Sequence, residues 1–330
     1  MNNQIWLDLV KEEVIDPEIR ICDSHHHFWL YPNSRYLGEE FANDLSSGHL
    51  VSESVFVECN QFYRIEGPEK LKSLGETEFV DSLAIKNGTS DCNIAAGIVG
   101  FVDLNLGSAA EEVIELHIHK SKRFCGVRHA TAWDASAEIR NAHTKPEPEL
   151  LSDAIFREGL TCLSKHGLVF DAWLYHPQIS ELTDLARAMP DLHIVLDHVG
   201  CPLGIGPYAG KRDNVLEGWL SKMTDLATCE NVSVKLGGLT MPLVGLGWHK
   251  NDRPPSSAQI AEVNGDCLRR VIDLFGPDRC MFESNFPVDR GSCSYTVLWN
   301  AFKLISKSYS KSERQALFRE AAVKTYKLQV

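Results

Sequence analysis

Eight short apolar, β-branched runs, separated by stretches with helical periodicity, predict an α/β fold: a single-domain (β/α)8 barrel of the TIM type. Strands that alternate with helices form parallel sheets, and eight such units close on themselves. A second observation is positional. Most of the runs end in residues that carry chemistry, and in such barrels the active site lies at the C-terminal strand ends. The third is continuity: the 330 residues contain no linker, low-complexity tract or shift in composition, and barrels of this kind use that much chain as one domain.

Residues 1–20 carry Trp6, Leu7, Leu9 and Val10 ahead of Pro17 and read as an N-terminal extension, a short helix that packs on the barrel. Residues 21–330 form the barrel itself. The expected strands are 20–27, 54–58, 94–102, 124–130, 168–174, 193–198, 231–236 and 280–285. Between them, 156–165 and 179–189 are helical; in the latter Leu182, Leu185, Ala186 and Met189 share one side. The longest irregular piece, 237–257, has four glycines, Trp248, His249 and Pro254-Pro255. It reads as a lid-like loop whose end opens the next helix. The glycine-rich piece 200–210 is a tight turn, since Gly210-Lys211 is followed by Arg212 and lacks the pattern of a phosphate-binding loop.

A net charge of −12 argues against nucleic acid or an anionic membrane surface as partner, and no apolar run approaches the roughly 18 residues of a membrane span. The N-terminus lacks the basic and apolar regions of a signal peptide. Ten cysteines are scattered singly, none in CxxC spacing, as expected for reduced thiols of a cytoplasmic protein. The expected partner is a small molecule, and assembly into a homo-oligomer is allowed.

The first strand ends in His25-His26-His27. Alternation puts His25 and His27 on one face and His26 on the other, so two imidazoles can grip one divalent ion or one anionic substrate. The second strand ends in Glu58, the fourth in Arg128-His129, and the fifth runs from Asp171 through Trp173 and Tyr175 to His176. The sixth ends in Asp197-His198, the seventh carries Lys235, and the eighth ends in Glu283-Ser284-Asn285. His25, His27 and His198 supply three imidazoles for a metal, with a carboxylate as further ligand or as base for water. Arg128 is either an ion-pair partner of Glu58 or an anchor for a substrate carboxylate. Asp171 and Asp197 are as readily orienters of histidines as primary groups, and Lys235 reads as an ion-paired residue. Trp29, Trp133, Trp173, Tyr175 and Trp248 suit an aromatic-walled pocket for a ring-shaped substrate, with His129, His176 and His249 beside them.

Taken together, five segments resemble the amidohydrolase superfamily, specifically the amidohydrolase-related branch with fuconolactonases and 2-pyrone-4,6-dicarboxylate lactonases. They are 23–29 with its HxHxW, Gly126-Val127-Arg128-His129, 196–202 around Asp197-His198, 234–238 around Lys235, and 280–289 around Glu283 and Asn285. They span nearly the whole chain in the family's order. The resemblance implies a (β/α)8 barrel that hydrolyses a small cyclic ester, with a divalent metal (zinc or manganese) in some members and none in others. One position departs. The family's eighth strand carries an aspartate as base or ligand where this chain has Asn285, so the metal is in question. Glu283, two residues earlier on the same face, is expected to supply the missing carboxylate, with Asp289 as a further candidate. On this reading Glu283 activates water, Asn285 donates to the oxyanion, His25, His27 and His198 polarise the carbonyl, and Arg128 holds an anionic group. The alternatives are a metal-dependent decarboxylase of an unsaturated or aromatic acid, and a binding protein that has lost catalysis.

Overall fold

Each βα unit predicted from the alternation forms in the computed structural model, which describes residues 3–87 and 92–329. The first two residues of the extension and the last of the barrel therefore lie outside the described residues. Eight strands, β1 (Arg20–His26), β2 (Leu50–Val57), β3 (Asn93–Gly100), β4 (Phe124–Val127), β5 (Val169–Ala172), β6 (Ile194–Leu196), β7 (Val232–Leu236) and β8 (Cys280–Phe282), pair in chain order. Every pairing is parallel. A helix follows each strand, among them Ala154–Lys165, Ile179–Ala188 and Ser257–Phe275. Ser256 caps the last of these by accepting from the Gln259 amide, so 254–257 does open a helix as its sequence suggested.

β8 closes against β1 through the residues that follow it. Asn285 N donates to the His25 carbonyl at 2.8 Å and His27 N to the Phe286 carbonyl at 2.8 Å. Ser284 N donates to Asp23 Oδ1 at 2.9 Å and Ser24 Oγ to the Phe282 carbonyl at 2.9 Å. β6 and β8 stop earlier than their apolar runs, at Leu196 and Phe282. The reason is backbone: His198 and Asn285 both adopt positive φ, 55° and 53°, which turns the chain out of the ladder just where the functional side chains begin.

Two apolar layers hold the barrel. The larger lies between strands and helices; the smaller fills the lower bore with Cys22, Val55, Val57, Val99, Val169, Val195 and Met281. Tyr326 and Leu328, from the C-terminal end, plug that bore. Above them the bore turns polar, beginning with the Tyr326 hydroxyl, which donates to Asp171 at 3.0 Å. The extension is the short helix Gln4–Leu7, tied to the 237–257 loop by Trp6 Nε1 donating to the Asn251 carbonyl at 2.9 Å. Among the described residues no helix is long and apolar enough to cross a membrane. None of the ten cysteines is in a disulfide.

Candidate active site

Alternation along β1 separates the three histidines as expected. His26 faces the helices, stacks on Phe41 at 4.2 Å and bonds Ser54 Oγ at 3.0 Å. His25 and His27 face the bore, with their Nε2 atoms 3.1 Å apart. His27 Nδ1 lies 2.7 Å from the Val57 carbonyl, which fixes Nδ1 as the protonated nitrogen and leaves the Nε2 lone pair inward. Burial, with His25 and Arg128 nearby, holds His27 well below its ordinary pKa, so it is neutral.

His25 Nδ1 looks the other way, into an ionic layer. It lies 3.0 Å from Glu283 Oε2, 3.5 Å from Asp197 and 3.1 Å from Lys235 Nζ. Lys235 is ion-paired, at 2.5 Å to Asp171 and 3.0 Å to Asp197. Burial works against both Lys235 and Asp197, but Asp171 and then Asp197 hold Lys235 in its charged form, and Lys235 with His25 does the same for Asp197. For Asp171 burial outweighs Lys235, and its pKa rises to about 6.

Glu283 spans two histidines. Its Oε1 lies 2.7 Å from His198 Nδ1 and also accepts from the His198 amide at 3.2 Å. Burial resists ionisation, yet His198 and His25 hold the carboxyl at about 2, and the carboxylate in turn raises His198. Glycines permit this approach. A Cβ on Gly237 would stand 2.4 Å from Glu283 Cγ, and one on Gly238 would stand 2.6 Å from His198 Cβ.

Arg128 is claimed by Glu58. Its Nε donates to Glu58 Oε1 at 2.8 Å and its Nη2 to the Glu58 carbonyl, while Nη1 lies 3.5 Å from Asp197. Of the two readings the sequence allowed for Arg128, the ion pair is the one the geometry provides. Asn285 donates its Nδ2 to Asp289 Oδ2 at 2.6 Å, and Oδ1 has no partner. One Nδ2 hydrogen is thus spent on Asp289, while the second and the Oδ1 acceptor have no partner among the described residues. Asp289 is occupied by Asn285 and by the Thr240 amide and hydroxyl.

These groups floor a cavity of about 410 Å³. Its wall includes His27, Arg128, His198 and Asn285, with Trp29, Tyr31, Trp173 and Tyr175 as aromatic sides and Met241, Pro242 and Leu243 from the predicted loop. Five expected wall residues are elsewhere, among them Trp133, whose amide donates to Gln178 Oε1 at 3.0 Å. His129 Nδ1 accepts from the Leu104 amide at 3.1 Å and His176 Nδ1 from the Leu203 amide at 3.2 Å, so both brace loops. Trp248 packs on the outer apolar layer and His249 faces solvent, because the loop's distal half turns away toward the extension. Glu283 itself is fully buried behind His198. The sequence reading missed Arg140, Asn141 and His143, which reach the wall from the segment after β4. That segment, 131–149, is too long and aperiodic for an ordinary βα connection, and this was the available signal.

For a metal, one group among the described residues combines His25, His198 and Glu283, their ligand atoms all within 4.8 Å of one another; His27 adjoins it through His25. The chemistry of the donors fits a divalent ion. Two imidazoles and a carboxylate form a known catalytic zinc set, and the 3.1 Å between the Nε2 atoms of His25 and His27 is near the roughly 3.3 Å between two tetrahedral zinc ligands. Glu283 Oε2 lacks a well-directed hydrogen bond, and four buried carboxylates (Glu58, Asp171, Asp197, Glu283) face two obligate cations, Arg128 and Lys235.

A closed parallel barrel whose C-terminal mouth gathers imidazoles, carboxylates and an arginine from separate strands defines a barrel hydrolase. The chain belongs to the amidohydrolase family, whose model matches residues 22–328. A protein of Sinorhizobium fredii is 31% identical, over 94% of this chain and 99% of the relative. An L-fucono-1,5-lactonase of Burkholderia multivorans is 27% identical, over 93% and 95%. A crystal structure of a Burkholderia multivorans amidohydrolase with bound zinc superposes with a TM-score of 0.71 at 24% identity, covering 94% of this chain and 99% of that one.

Proposed function

We propose that this enzyme hydrolyses a small cyclic ester. The observation that carries the reading is the Glu283–His198 pair: a carboxylate at 2.7 Å from Nδ1 of an imidazole whose ring forms part of an aromatic-walled cavity. The L-fucono-1,5-lactonase relative supports the same reaction class.

In the mechanism, His198 takes the proton from a water as it attacks the lactone carbonyl, and Glu283 holds the resulting imidazolium. Glu283 thus acts through His198 rather than on water directly. Arg128, fixed by Glu58, points N–H groups at the developing oxyanion without reorganising. Asn285 Oδ1 accepts a hydrogen from the attacking water and so aims it. On ring opening His198 returns the proton to the leaving oxygen. His25 and His27, whose Nε2 atoms lie 3.1 Å apart, would hold a divalent ion that, when bound, would supply Lewis-acid polarisation of the carbonyl and leave the Glu283–His198 pair for proton transfer.

Two measurements test this together. Elemental analysis of native protein and of a His25→Ala/His27→Ala double variant should show about one zinc or manganese per chain in the first and none in the second. A lactone panel should release acid without carbon dioxide. Carbon dioxide release would replace this reading with decarboxylation, and inertness on every lactone would remove it.

A further inference from the structure

The cavity wall carries a sign opposite to that of the chain. Acidic residues outnumber basic ones by 45 to 33, yet the wall presents Arg128 and Arg140 and no described Asp or Glu. The carboxylates of the site, Glu58, Asp197 and Glu283, are fully buried behind it. A mouth of one sign, walled by low-dielectric aromatics, concentrates ligands of the other sign.

The two arginines differ. Arg128 already has Glu58 and Asp197 for its charge. Arg140 pairs with no carboxylate among the described residues and stands exposed at the rim. The backbone that carries it is nonetheless fixed. The Tyr175 hydroxyl donates to the Arg140 carbonyl at 2.5 Å, Asn141 Oδ1 accepts from the Asp134 amide at 2.8 Å, and the Thr144 hydroxyl donates to the Ala130 carbonyl at 2.5 Å. A second hollow adjoins the first, sharing Arg140 and adding Lys145, again without a carboxylate in its wall. A guanidinium carried on an anchored stretch of backbone, with no carboxylate among the described residues paired to it, beside a ring-sized aromatic slot suits a carboxylate, which it can grip with two parallel N–H groups.

We propose that Arg140 is the specificity-determining anchor for a carboxylate on the substrate, so that the enzyme takes lactone acids in preference to neutral sugar lactones. The proposal rests on the lactone reading and narrows it. It also reassigns the anionic anchor from Arg128, whose charge is balanced by Glu58 and Asp197, to a residue of the segment after β4.

The test compares a lactone carrying a free carboxylate with its neutral carboxamide and with the matching phosphate monoester, in wild type and in Arg140→Gln and Arg140→Lys. Wild type should prefer the acid over the amide by about tenfold or more in kcat/KM. Arg140→Gln should collapse that ratio toward one through a raised KM for the acid, and Arg140→Lys should restore part of it. A ratio near one in wild type, a ratio unchanged in Arg140→Gln, or a preference for the phosphate over the acid would overturn the proposal. Quenching of tryptophan fluorescence by furan-2-carboxylate reads the anchor without turnover. Saturable binding that weakens about tenfold in Arg140→Gln supports it even if no lactone is cleaved, in which case only the reaction fails; equal binding in both proteins refutes the anchor.

Discussion

Substituting Gly238 with alanine tests whether the close approach of β7's C-terminal turn to His198 is a requirement of the site. The new Cβ would stand 2.6 Å from both Cβ and Cγ of His198 and 2.8 Å from its Nδ1, at a position with φ of +68°. The left-handed backbone costs an alanine about 1 kcal/mol, and overpacking a tight contact costs roughly 1–3 kcal/mol more. The sum, about 2–4 kcal/mol, spread over an unfolding entropy that scales with 330 residues, lowers Tm by roughly 3–6 °C. Activity should suffer more than stability. The ring carrying the Glu283 bond has to move, and a displacement near 1 Å costs about 100-fold in rate. Gly210→Ala supplies the internal reference: its φ is +71°, but nothing lies within 4 Å of the added Cβ, so it pays the backbone term alone. Thermal unfolding by circular dichroism and initial rates on the same preparations decide the matter. Equal Tm losses in the two variants, or full activity in Gly238→Ala, would refute the argument.

Two further expectations concern protons. Glu283→Gln keeps the shape but removes the charge that raises His198, so kcat should fall by roughly 100- to 10,000-fold. The acid limb of the residual rate profile should move to lower pH, since the imidazole loses its proton more easily; an unmoved limb would exclude Glu283 as the group acting on His198. Glu76 is buried, with burial first and Glu58 second raising its pKa from 4.5 to about 8. Folding therefore takes up a proton between those values, and this contribution to stability is complete below about 4.5 and is lost as pH rises through 8. Urea titrations of wild type and Glu76→Gln at pH 5 and pH 8 should show a smaller loss between the two pH values in the variant, and parallel losses would count against the assignment.

Much of the site was legible because it obeys the period of two. The split of His25 and His27 from His26 follows from strand alternation alone. What escaped lies in features that no period describes. The orientation of the Asn285 amide depends on Asp289, four residues on and held in turn by Thr240 from another strand's loop. His129 and His176 look like site residues by position but spend their Nδ1 atoms on the amides of Leu104 and Leu203. Arg140 reaches the mouth because its segment is pinned by Tyr175 and Ala130, contacts made only after folding.

The seam between β8 and β1 has a consequence for synthesis. The residues that close it, 284–286 on one side and 23–27 on the other, also carry or flank His25, His27, Glu283 and Asn285. Until roughly the last sixth of the chain has left the ribosome, β1 remains an unpaired sheet edge with its inward histidines uncovered, the kind of edge that invites wrong partners. Completion of the barrel and assembly of the catalytic pair are one event, so no shortened product of translation would carry a partial activity.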